Sequence, residues 1–285
     1  MRLKRACIYH PSKCITKLDN FNREMQSMAD LLWASEAYSE ILLLDCDADL
    51  DSFDEIWCSC FAKNVNSNTL ANLPNRQVLF YICNDPAFFA LPPCIADRIN
   101  FIAYAGTNAE PFRHYWQNKP IIFIKLWQNM FSKMRAKLQY VEDYDYLLGY
   151  AGNNRSSWRA KRLRLFTNGL NSVKIIGCAG RPKLTYVHSR LEMQKCLAQL
   201  VIGDIEYSSL FPAAHRLLQG LSFSPYCFID SKLYESFGYD IIDKHFVVSS
   251  SDDIANTLVL IKSDRQFATS AYSAFTNLFT ELTEL

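Results

Sequence analysis

Basic side chains crowd one short stretch in the middle of the chain, GYAGNNRSSWRAKRLRLF at positions 149–166. Gly152 allows the backbone to approach a ligand closely after a strand-like run, and the helix that follows offers free N–H groups and a positive dipole end to an anion. Arg155 and Arg159 lie four residues apart, so they share one helix face and can bind a diphosphate together. The stretch therefore predicts a phosphate site or, alternatively, a solvated basic helix whose other faces carry Lys161, Arg162 and Arg164.

A second polar group follows another predicted strand, in VIGDIEYSSLFPAAHRLLQG at positions 201–220. The strand ends at Gly203, and the helix after it carries Arg216 and Gln219 on one face, three residues apart. Arg216 can add a third cation to the same cleft, and Gln219 can hydrogen-bond a sugar hydroxyl. Taken alone, Arg216 is better interpreted as a surface arginine.

An aspartate, Asp85, follows an apolar run in FYICNDPAFFALP at positions 80–92. A carboxylate at the end of a strand can act as a general base that deprotonates a hydroxyl nucleophile. Asn-Asp-Pro is also common turn chemistry, and by itself the turn is the preferred interpretation. Asp45, Asp47 and Asp49 are similar to a metal-binding D-x-D pattern, but we prefer an acidic surface loop because no other ligand converges there.

Predicted strands and helices alternate along the chain, which is typical of parallel sheets covered by helices on both faces. The alternation restarts near Tyr144, so the sequence predicts an α/β fold with two domains, residues 1–143 and 144–264, and a cleft between them. We expect the helical segment 265–285 to pack back on the first domain. Locally, the pattern predicts a strand over 121–126, a helix over 189–197 and a strand over 200–202. Ligands of such folds bind outside the carboxyl ends of the strands.

Composition and missing motifs exclude several classes of protein. With 285 residues and a net charge of +1, the chain is less basic than proteins that coat nucleic acid, so any DNA contact would use a local patch. It lacks a G-x-G-x-x-G fingerprint and a P-loop, which argues against a nicotinamide or ATP site of the usual type. Its ten cysteines are better interpreted as free thiols than as disulfides, because no secretory signal precedes them, and Cys58 and Cys60 lack the spacing of a zinc site. We therefore expect a reduced, cytoplasmic protein with no membrane span.

Taken together, these segments resemble one family, the T-even phage DNA β-glucosyltransferases, whose fold is of the two-domain GT-B type. YAGNNRSSWRAKR is similar to the family's tyrosine-glycine-glycine loop with two arginines four residues apart, and TNGLNSVKIIGCAGR is similar to the next helix end and strand. LVIGDIEYSSLF and HFVVSSSDDIANTL resemble later strands of the same domain. The resemblance covers roughly residues 144–260, and it is thinner in the first half, at DSFDEIWCSC and YICNDPAFFALP.

The resemblance implies roles for individual residues. It implies a UDP-sugar donor, with UDP-glucose expected, whose diphosphate is lined by Gly152, Asn153, Arg155, Arg159 and Arg216. Tyr207 would lie beside the nucleotide, Val187 or His188 would contact uracil just before a helix that begins at Ser189, and Gln219 would bind the ribose where the family has a glutamate. Asp85 matches the family's catalytic aspartate, and Glu24 matches a second acidic residue near the acceptor. The family uses Mg²⁺ or Mn²⁺, but this chain shows no convincing set of metal ligands.

The implied activity is the inverting transfer of a sugar from a UDP-sugar to the hydroxymethyl group of a modified pyrimidine in double-stranded phage DNA. We expect a monomer that works in the host cytoplasm and has no membrane partner. Some basic residues are candidates for contacts with DNA phosphates, with a solvated helix face as the alternative: Lys125, Lys133, Arg135 and Lys137. Two other functions stay open, namely a glycosyltransferase of the same fold that acts on a protein, glycan or small molecule, and a binding module without catalysis. The sugar is open, and so is the choice between hydroxymethylcytosine and hydroxymethyluracil.

Overall fold

The computed structural model describes the chain in eleven stretches, which are 2–9, 20–44, 48–59, 67–83, 90–106, 109–135, 144–152, 156–178, 186–203, 214–235 and 242–284. Contacts divide the chain into two compact units, Met1–Asn129 and Met130–Leu285. Each unit contains a parallel sheet with helices packed on it. The predicted α/β class with two parallel sheets is therefore confirmed.

The first unit contains a six-stranded sheet with the order β2-β1-β3-β4-β5-β6, in which all neighbouring strands run parallel. Its strands are β1 (Lys4–Tyr9), β2 (Tyr38–Leu44), β3 (Glu55–Ser59), β4 (Val78–Cys83), β5 (Phe101–Tyr104) and β6 (Ile121–Phe123). Its helices are α1 (Asn20–Ala34), α2 (Ser67–Ala71) and the start of α3 (Leu126–Arg135), within which the division between the units falls.

The core of the first unit forms where α1 packs on this sheet. Met25, Met28 and Leu32 recur at helical spacing, so they form one apolar stripe, and all three are buried. They join a cluster with the strand residues Trp57 and Phe80, whose rings stack with their centroids 3.9 Å apart. This packing holds α1 against one face of the sheet.

The second unit contains a five-stranded parallel sheet with the order β11-β10-β9-β7-β8. Its strands are β7 (Tyr146–Ala151), β8 (Val173–Ile176), β9 (Cys196–Val201), β10 (Tyr226–Asp230) and β11 (Val247–Val248). The helices that follow α3 are α4 (Ser157–Thr167), α5 (Tyr186–Met193), α6 (Ala214–Phe223), α7 (Ser231–Tyr234), α8 (Ser251–Ser263) and α9 (Arg265–Glu284).

The path of the chain reverses in the middle of this second sheet. From β7 the chain moves outward to β8, then returns to the other side of β7 as β9 and continues away through β10 and β11. The carboxyl ends of β7 and β9 are therefore neighbours, and the strands that follow them in the chain, β8 and β10, lie on opposite sides of this pair. Open α/β sheets bind their ligands in the crevice at such a reversal.

The last helix, α9, has 20 residues and contacts α6, α8 and β10. Contacts thus group it with the second unit, and they place the division at 129/130. The sequence-based boundary at 143/144 and the packing of 265–285 on the first domain stay predictions. Among the helices that the structure describes, none combines the length and the apolar character needed to cross a membrane.

The local predictions fail in two places. The helix predicted over 189–197 is α5, which ends at Met193, and Cys196 and Leu197 already belong to β9. The run CLAQLV is buried at every position, and a continuous buried run is typical of a parallel strand covered on both faces. In the first unit, the strand predicted over 121–126 ends at Phe123, and Leu126 begins α3.

Candidate functional site

A small pocket lies at the carboxyl edge of the second sheet, where β7 and β9 are neighbours. Its cavity volume is about 20 Å³, which is roughly the space of one water molecule. The described residues therefore enclose only a small part of the space that a nucleotide would need. Strand β7 contributes Tyr150 and Ala151, and β9 with the residue after it contributes the range 199–202. The helices α4 and α6 supply the remaining lining residues, which are Arg159, Arg216, Gln219, Gly220 and Phe223.

The junction between β7 and α4 brings a glycine and a helix cap to the edge of this pocket. The N–H of Gly152 donates to the carbonyl of Ile176 at 3.1 Å, so Gly152 contributes space instead of a hydrogen-bond donor. A Cβ at this position would lie 3.0 Å from the Tyr150 hydroxyl oxygen. Ser156 then caps α4, because its hydroxyl accepts the N–H of Arg159 at 3.1 Å.

Two side chains of α4 tie the helix to the carboxyl ends of neighbouring strands. Trp158 Nε1 donates to the carbonyl of Gly203, just after β9, at 3.2 Å. One turn later, Arg162 Nε donates to Oδ2 of Asp230 at 2.8 Å, and Nη2 donates to the other oxygen of this buried carboxylate at the end of β10. Arg159 lies between these two anchors, so they fix the position from which it reaches the pocket.

Helix α6 lies close to the sheet because Gly220 has no side chain. A Cβ there would lie 2.7 Å from the sulfur of Cys227 and 3.1 Å from Cγ2 of Val201. This close packing brings Arg216 and Gln219 to the pocket, where Nη1 of Arg216 donates to Oε1 of Gln219 at 3.0 Å. Arginine only donates hydrogen bonds, so the oxygen of the Gln219 amide must face it.

The charge of the pocket favours an anionic ligand. Among the lining residues that the structure describes, the two charged ones are both arginines, Arg159 and Arg216, and the others are apolar or neutral. A guanidinium group presents a planar fork of donors that matches the oxygens of a phosphate. Two such groups at one strand edge can bind a ligand with two negative charges, such as a diphosphate.

The structure brings together three of the site residues that the sequence predicts, namely Arg159, Arg216 and Gln219, and Gly152 follows directly after the lining residue Ala151. Glu24 lies in α1 of the first unit and is half-buried. Four more predicted residues fall outside the part of the chain that the structure describes, and they are Asp85, Asn153, Arg155 and Tyr207.

Val187 and His188 lie inside a helix, and the prediction that they precede it is wrong. Helix α5 begins at Tyr186, three residues before the predicted start at Ser189. Val187 and His188 therefore lie in the first turn of α5, where the backbone N–H groups have no acceptor within the helix itself. The side chain of His188 is exposed.

One polar lining residue, Gln199 of β9, is missing from the sequence predictions. It is 3% exposed, and its Nε2 donates to the carbonyl of Met193 at 3.1 Å and to the hydroxyl of Ser224 at 2.7 Å. Its register partner on β7 is Gly149, where a Cβ would lie 2.6 Å from Gln199 Nε2. A glutamine within the buried run CLAQLV is a usable signal, because a polar side chain in a core strand requires hydrogen-bond partners.

Arg135 is not available to contact DNA, because its guanidinium is buried within the second unit. Its Nη1 donates to the carbonyl of Leu221 and its Nη2 to the hydroxyl of Thr276 at 3.0 Å, while its Cζ lies 5.1 Å from the Phe279 ring centroid. This burial lowers the pKa of Arg135. Arg135 therefore links α3 to α6 and α9. Of the other basic candidates, Lys125 and Lys133 are exposed, and Lys137 lies outside the described residues.

In the acidic loop after β2, the residues from position 48 onward make the local contacts of a turn. Oδ1 of Asp49 accepts the N–H of Asp51 at 3.0 Å, which is an Asx-turn contact. Asp45 and Asp47 lie outside the described residues. Within the described part of the chain, no three histidine, cysteine or acidic side chains form a group that could hold a metal ion.

No family model matches the chain, and no curated protein matches its sequence. Solved structures do match its fold over nearly the whole length of both chains. A structure of the DNA modifying enzyme β-glucosyltransferase, solved with and without its substrate UDP-glucose, is 14% identical with a TM-score of 0.72, and the match covers 98% of this chain and 95% of that chain.

Two further structures from T4 phage are similar to the same extent. T4 phage BGT in complex with UDP-glucose is 14% identical with a TM-score of 0.72, and its complex with UDP and Mn²⁺ is 15% identical with a TM-score of 0.71. Each match covers 99% of this chain and 96% of that chain. At such low sequence identity the similarity concerns the fold. For the fold, it confirms the resemblance that was predicted from the sequence. The chain has the GT-B fold of T4 phage β-glucosyltransferase.

Proposed function

We propose that the protein is an inverting glycosyltransferase that takes its sugar from a UDP-sugar. The observation that carries this proposal is the convergence of Arg159 and Arg216 on one pocket at the β7–β9 reversal, with no carboxylate among the described lining residues. A diphosphate matches this pair in charge and in the number of its oxygen acceptors. The neighbours in fold support the same donor, because T4 phage BGT has been solved with UDP-glucose and with UDP.

The proposal gives each predicted residue of the second unit a place on the donor. Arg159 and Arg216 hold the diphosphate together with Asn153 and Arg155, and Gly152 leaves room for it at the end of β7. The remaining contacts belong to Tyr207 beside the nucleotide, to a backbone amide of Val187 or His188 at the uracil, and to Gln219 at a ribose hydroxyl.

The chemical step is a single displacement at the anomeric carbon of the sugar. Asp85 takes the proton of the acceptor hydroxyl, and the oxygen forms a bond to the anomeric carbon from the face opposite the diphosphate. The bond from that carbon to the diphosphate oxygen breaks, UDP leaves with the electron pair, and the configuration inverts. The arginines stabilise the negative charge that develops on the departing diphosphate. Glu24 lies near the acceptor in this proposal.

The proposed acceptor is the hydroxymethyl group of a modified pyrimidine in double-stranded DNA. The support is that a neighbour in fold is a DNA modifying enzyme. Such a base must leave the helix stack to reach a catalytic carboxylate, which costs about a few kcal/mol. The exposed Lys125 and Lys133 stay candidates for contacts with DNA phosphates.

The requirement of the reaction for a divalent ion is tested by adding either Mg²⁺ or Mn²⁺ to the assay. One neighbour in fold was solved in complex with UDP and Mn²⁺, and ions such as Mg²⁺ often bind through substrate phosphates. The described residues of this chain contain no cluster of three side chains that could bind an ion by themselves. We therefore assign no step to a metal.

The test is mass spectrometry of nucleosides from DNA incubated with the protein, a panel of UDP-sugars and either Mg²⁺ or Mn²⁺. Separate DNA samples contain cytosine, hydroxymethylcytosine or hydroxymethyluracil. The expected result is a sugar adduct on one hydroxymethylated base, which identifies donor and acceptor together. Binding or hydrolysis of a UDP-sugar without any DNA adduct would point to a protein, glycan or small molecule as the acceptor. If no UDP-sugar binds, the donor site is wrongly assigned.

A further inference from the structure

Phe123, an exposed aromatic residue, ends the outermost strand of the first sheet. It is 56% exposed, compared with 49% for Trp33 and 43% for Tyr115. Single apolar side chains are common on protein surfaces, so the exposure alone assigns no role. The position is more specific, because β6 runs parallel to β5 and Phe123 therefore lies at the carboxyl edge of the sheet, where α/β folds bind their ligands.

The register of the strands places Phe123 in one row with the segment that precedes the proposed catalytic base. Phe123 is the register partner of Tyr104, and Tyr104 is the register partner of Cys83 at the end of β4. Asp85 follows Cys83 by two residues in the sequence. Because neighbouring strands lie about 4.8 Å apart, Phe123 lies roughly 10 Å from the end of β4. A nucleotide whose hydroxymethyl group is bound just beyond β4 therefore brings its neighbours in the DNA within reach of Phe123.

Buried aromatic side chains support the ring of Phe123 from below. Its centroid lies 6.1 Å from that of Tyr104, whose ring lies 5.7 Å from Phe112 and 5.2 Å from Trp116. These three supporting side chains are all buried. Gly106 leaves room for the Tyr104 ring, because a Cβ there would lie 2.3 Å from the Tyr104 hydroxyl oxygen. A ring with such fixed support loses little conformational freedom when a base stacks on it.

The surroundings of Phe123 favour DNA over a strand of another protein. The stretch 111–129 contains three basic residues and no aspartate or glutamate. One of the basic residues, Lys125, is exposed two residues after Phe123. Strand β6 has three residues and follows Pro120, and both a short edge strand and a proline hinder the addition of a further strand. A cation beside an exposed aromatic ring matches the phosphates and bases of DNA.

We propose that Phe123 is a wedge that enters the DNA duplex beside the extruded base. Extrusion of a base removes its stacking on the neighbouring base pairs, and inserted apolar side chains take such places at base steps. Stacking of the Phe123 ring on an exposed neighbouring base offsets part of the cost of extrusion. This inference rests on the proposed function, because it takes the acceptor to be a base in double-stranded DNA. It adds that transfer to a duplex depends on Phe123, whereas transfer to a single strand does not.

The test measures sugar transfer by the full-length wild type, Phe123→Ala and Trp33→Ala to three DNA substrates. The substrates carry the same hydroxymethylated base in a duplex, in a duplex with an abasic position opposite that base, and in a single strand. The abasic position removes the base pair that resists extrusion. Trp33 is the matched control, because it is an exposed aromatic residue of the same unit near the end of α1, at the opposite edge of the sheet, where β2 begins.

The expected results differ between the substrates. Phe123→Ala lowers kcat/KM on the duplex by about 10- to 100-fold, the effect of one lost stack between a base and an aromatic ring. On the single strand it stays within about twofold of the wild type, and opposite the abasic position it regains most of the loss, because less pairing resists extrusion there. Trp33→Ala equals the wild type on all three substrates. Phe123→Leu keeps an apolar side chain and recovers part of the duplex rate.

A second measurement detects extrusion without transfer. A duplex carries the fluorescent base 2-aminopurine in place of the target base, and its fluorescence rises when it leaves the stack. In the presence of UDP, the wild type and Trp33→Ala should increase the fluorescence at saturating protein, and Phe123→Ala should increase it less. Thermal melts of each variant check that the edge of the sheet is folded.

Three outcomes would overturn the inference. Wild-type rates of Phe123→Ala on every substrate would do so and would point to a protein partner at this ring. An equal loss on all three substrates would mean that the ring acts on the acceptor base itself or on the fold, and an equal loss in Trp33→Ala would mean that any exposed aromatic residue has this effect. If the wild type modifies none of the three substrates, the proposed DNA acceptor is refuted, and the wedge is refuted with it.

Discussion

Arg159 and Arg164 lie on the same helix and carry the same charge, but they differ in position. Arg159 lines the pocket, whereas Arg164 is exposed. We expect Arg159→Ala to weaken UDP-glucose binding by about 10- to 100-fold, the loss typical of a hydrogen bond to a charged group. Arg164→Ala makes the same change in net charge and should have little effect, because salt screens a distant exposed charge. Calorimetric titration of both variants measures this, and equal losses would mean that only the overall charge of α4 matters.

The role of Asp85 is a second prediction for a single residue. Asp85→Asn should bind UDP-glucose with wild-type affinity, because the proposed base acts on the acceptor and not on the donor. Its rate of sugar transfer should fall by about 10²- to 10⁴-fold, as expected for the loss of a general base. Calorimetry gives the affinity, and nucleoside mass spectrometry over time gives the rate. Unchanged transfer would remove Asp85 from the mechanism.

At the scale of the elements, helix α4 depends on its ion pair with the end of β10. Asp230 is 1% exposed, and it also accepts the N–H of Lys232 as the cap of α7. Asp230→Ala should lower the unfolding free energy by about 3 kcal/mol, because it leaves the half-buried guanidinium of Arg162 without its counter-charge. Replacement of both Arg162 and Asp230 by leucine should recover part of this loss.

The matched control for Asp230→Ala is Glu235→Ala, which removes an exposed ion pair with Lys232. Exposed pairs of this kind contribute little to stability. Denaturant unfolding measures each variant. If Asp230→Ala and Glu235→Ala are equally stable, the buried pair does not hold α4 in place.

The loop after β8 supports the pocket through Gly177. This residue has φ +85°, and a Cβ there would lie 3.1 Å from the carbonyl oxygen of Gly152. Gly169 has φ +77° with nothing within 4 Å of such a Cβ, so it is a control for backbone strain alone. Alanine at either position should cost about 1–2 kcal/mol of stability. Only Gly177→Ala should also weaken UDP-glucose binding, and an equal loss of affinity in Gly169→Ala would contradict this.

At the scale of the whole molecule, buried thiols make the stability of the folded chain fall at alkaline pH. Burial raises the pKa of Cys7 in the first unit and of Cys196 in the second to about 12, and it also raises the pKa of Cys227. The unfolded chain releases these protons near the ordinary pKa of about 9, whereas the folded chain keeps them. Stability from this source is therefore fully present below pH 9 and is lost as the pH rises toward 12.

Thermal midpoints between about pH 7 and pH 11 measure this dependence. The midpoint should decline above pH 9, and Cys196→Ala should make the decline less steep. The control is Cys94→Ala, because the side chain of Cys94 is exposed in the folded chain. A decline that is equally steep in wild type and Cys196→Ala would contradict the prediction for this thiol.

Much of the architecture was predictable because its causes are local. Buried parallel strands need apolar runs, and helices begin at caps, so the alternation of elements and the start of α4 after Ser156 follow from neighbouring residues. The errors at α5 and β9 have the same origin, because a short apolar run can be helix or strand until its neighbours in space are known.

The sequence by itself determined the α/β class, the two parallel sheets and the basic character of the segment after β7. The tertiary structure decided which arginine lines the pocket and which one forms an ion pair with a neighbouring strand. Spacing along α4 cannot tell Arg159, in the pocket, from Arg162, paired with Asp230, because basic residues occur around the whole helix. Packing likewise brought Arg216 to the same pocket as Arg159 across 57 positions of sequence and buried Arg135 against α9. The physical reason is that periodicity defines faces within one element, whereas the partner of a face is chosen by the packing of distant segments.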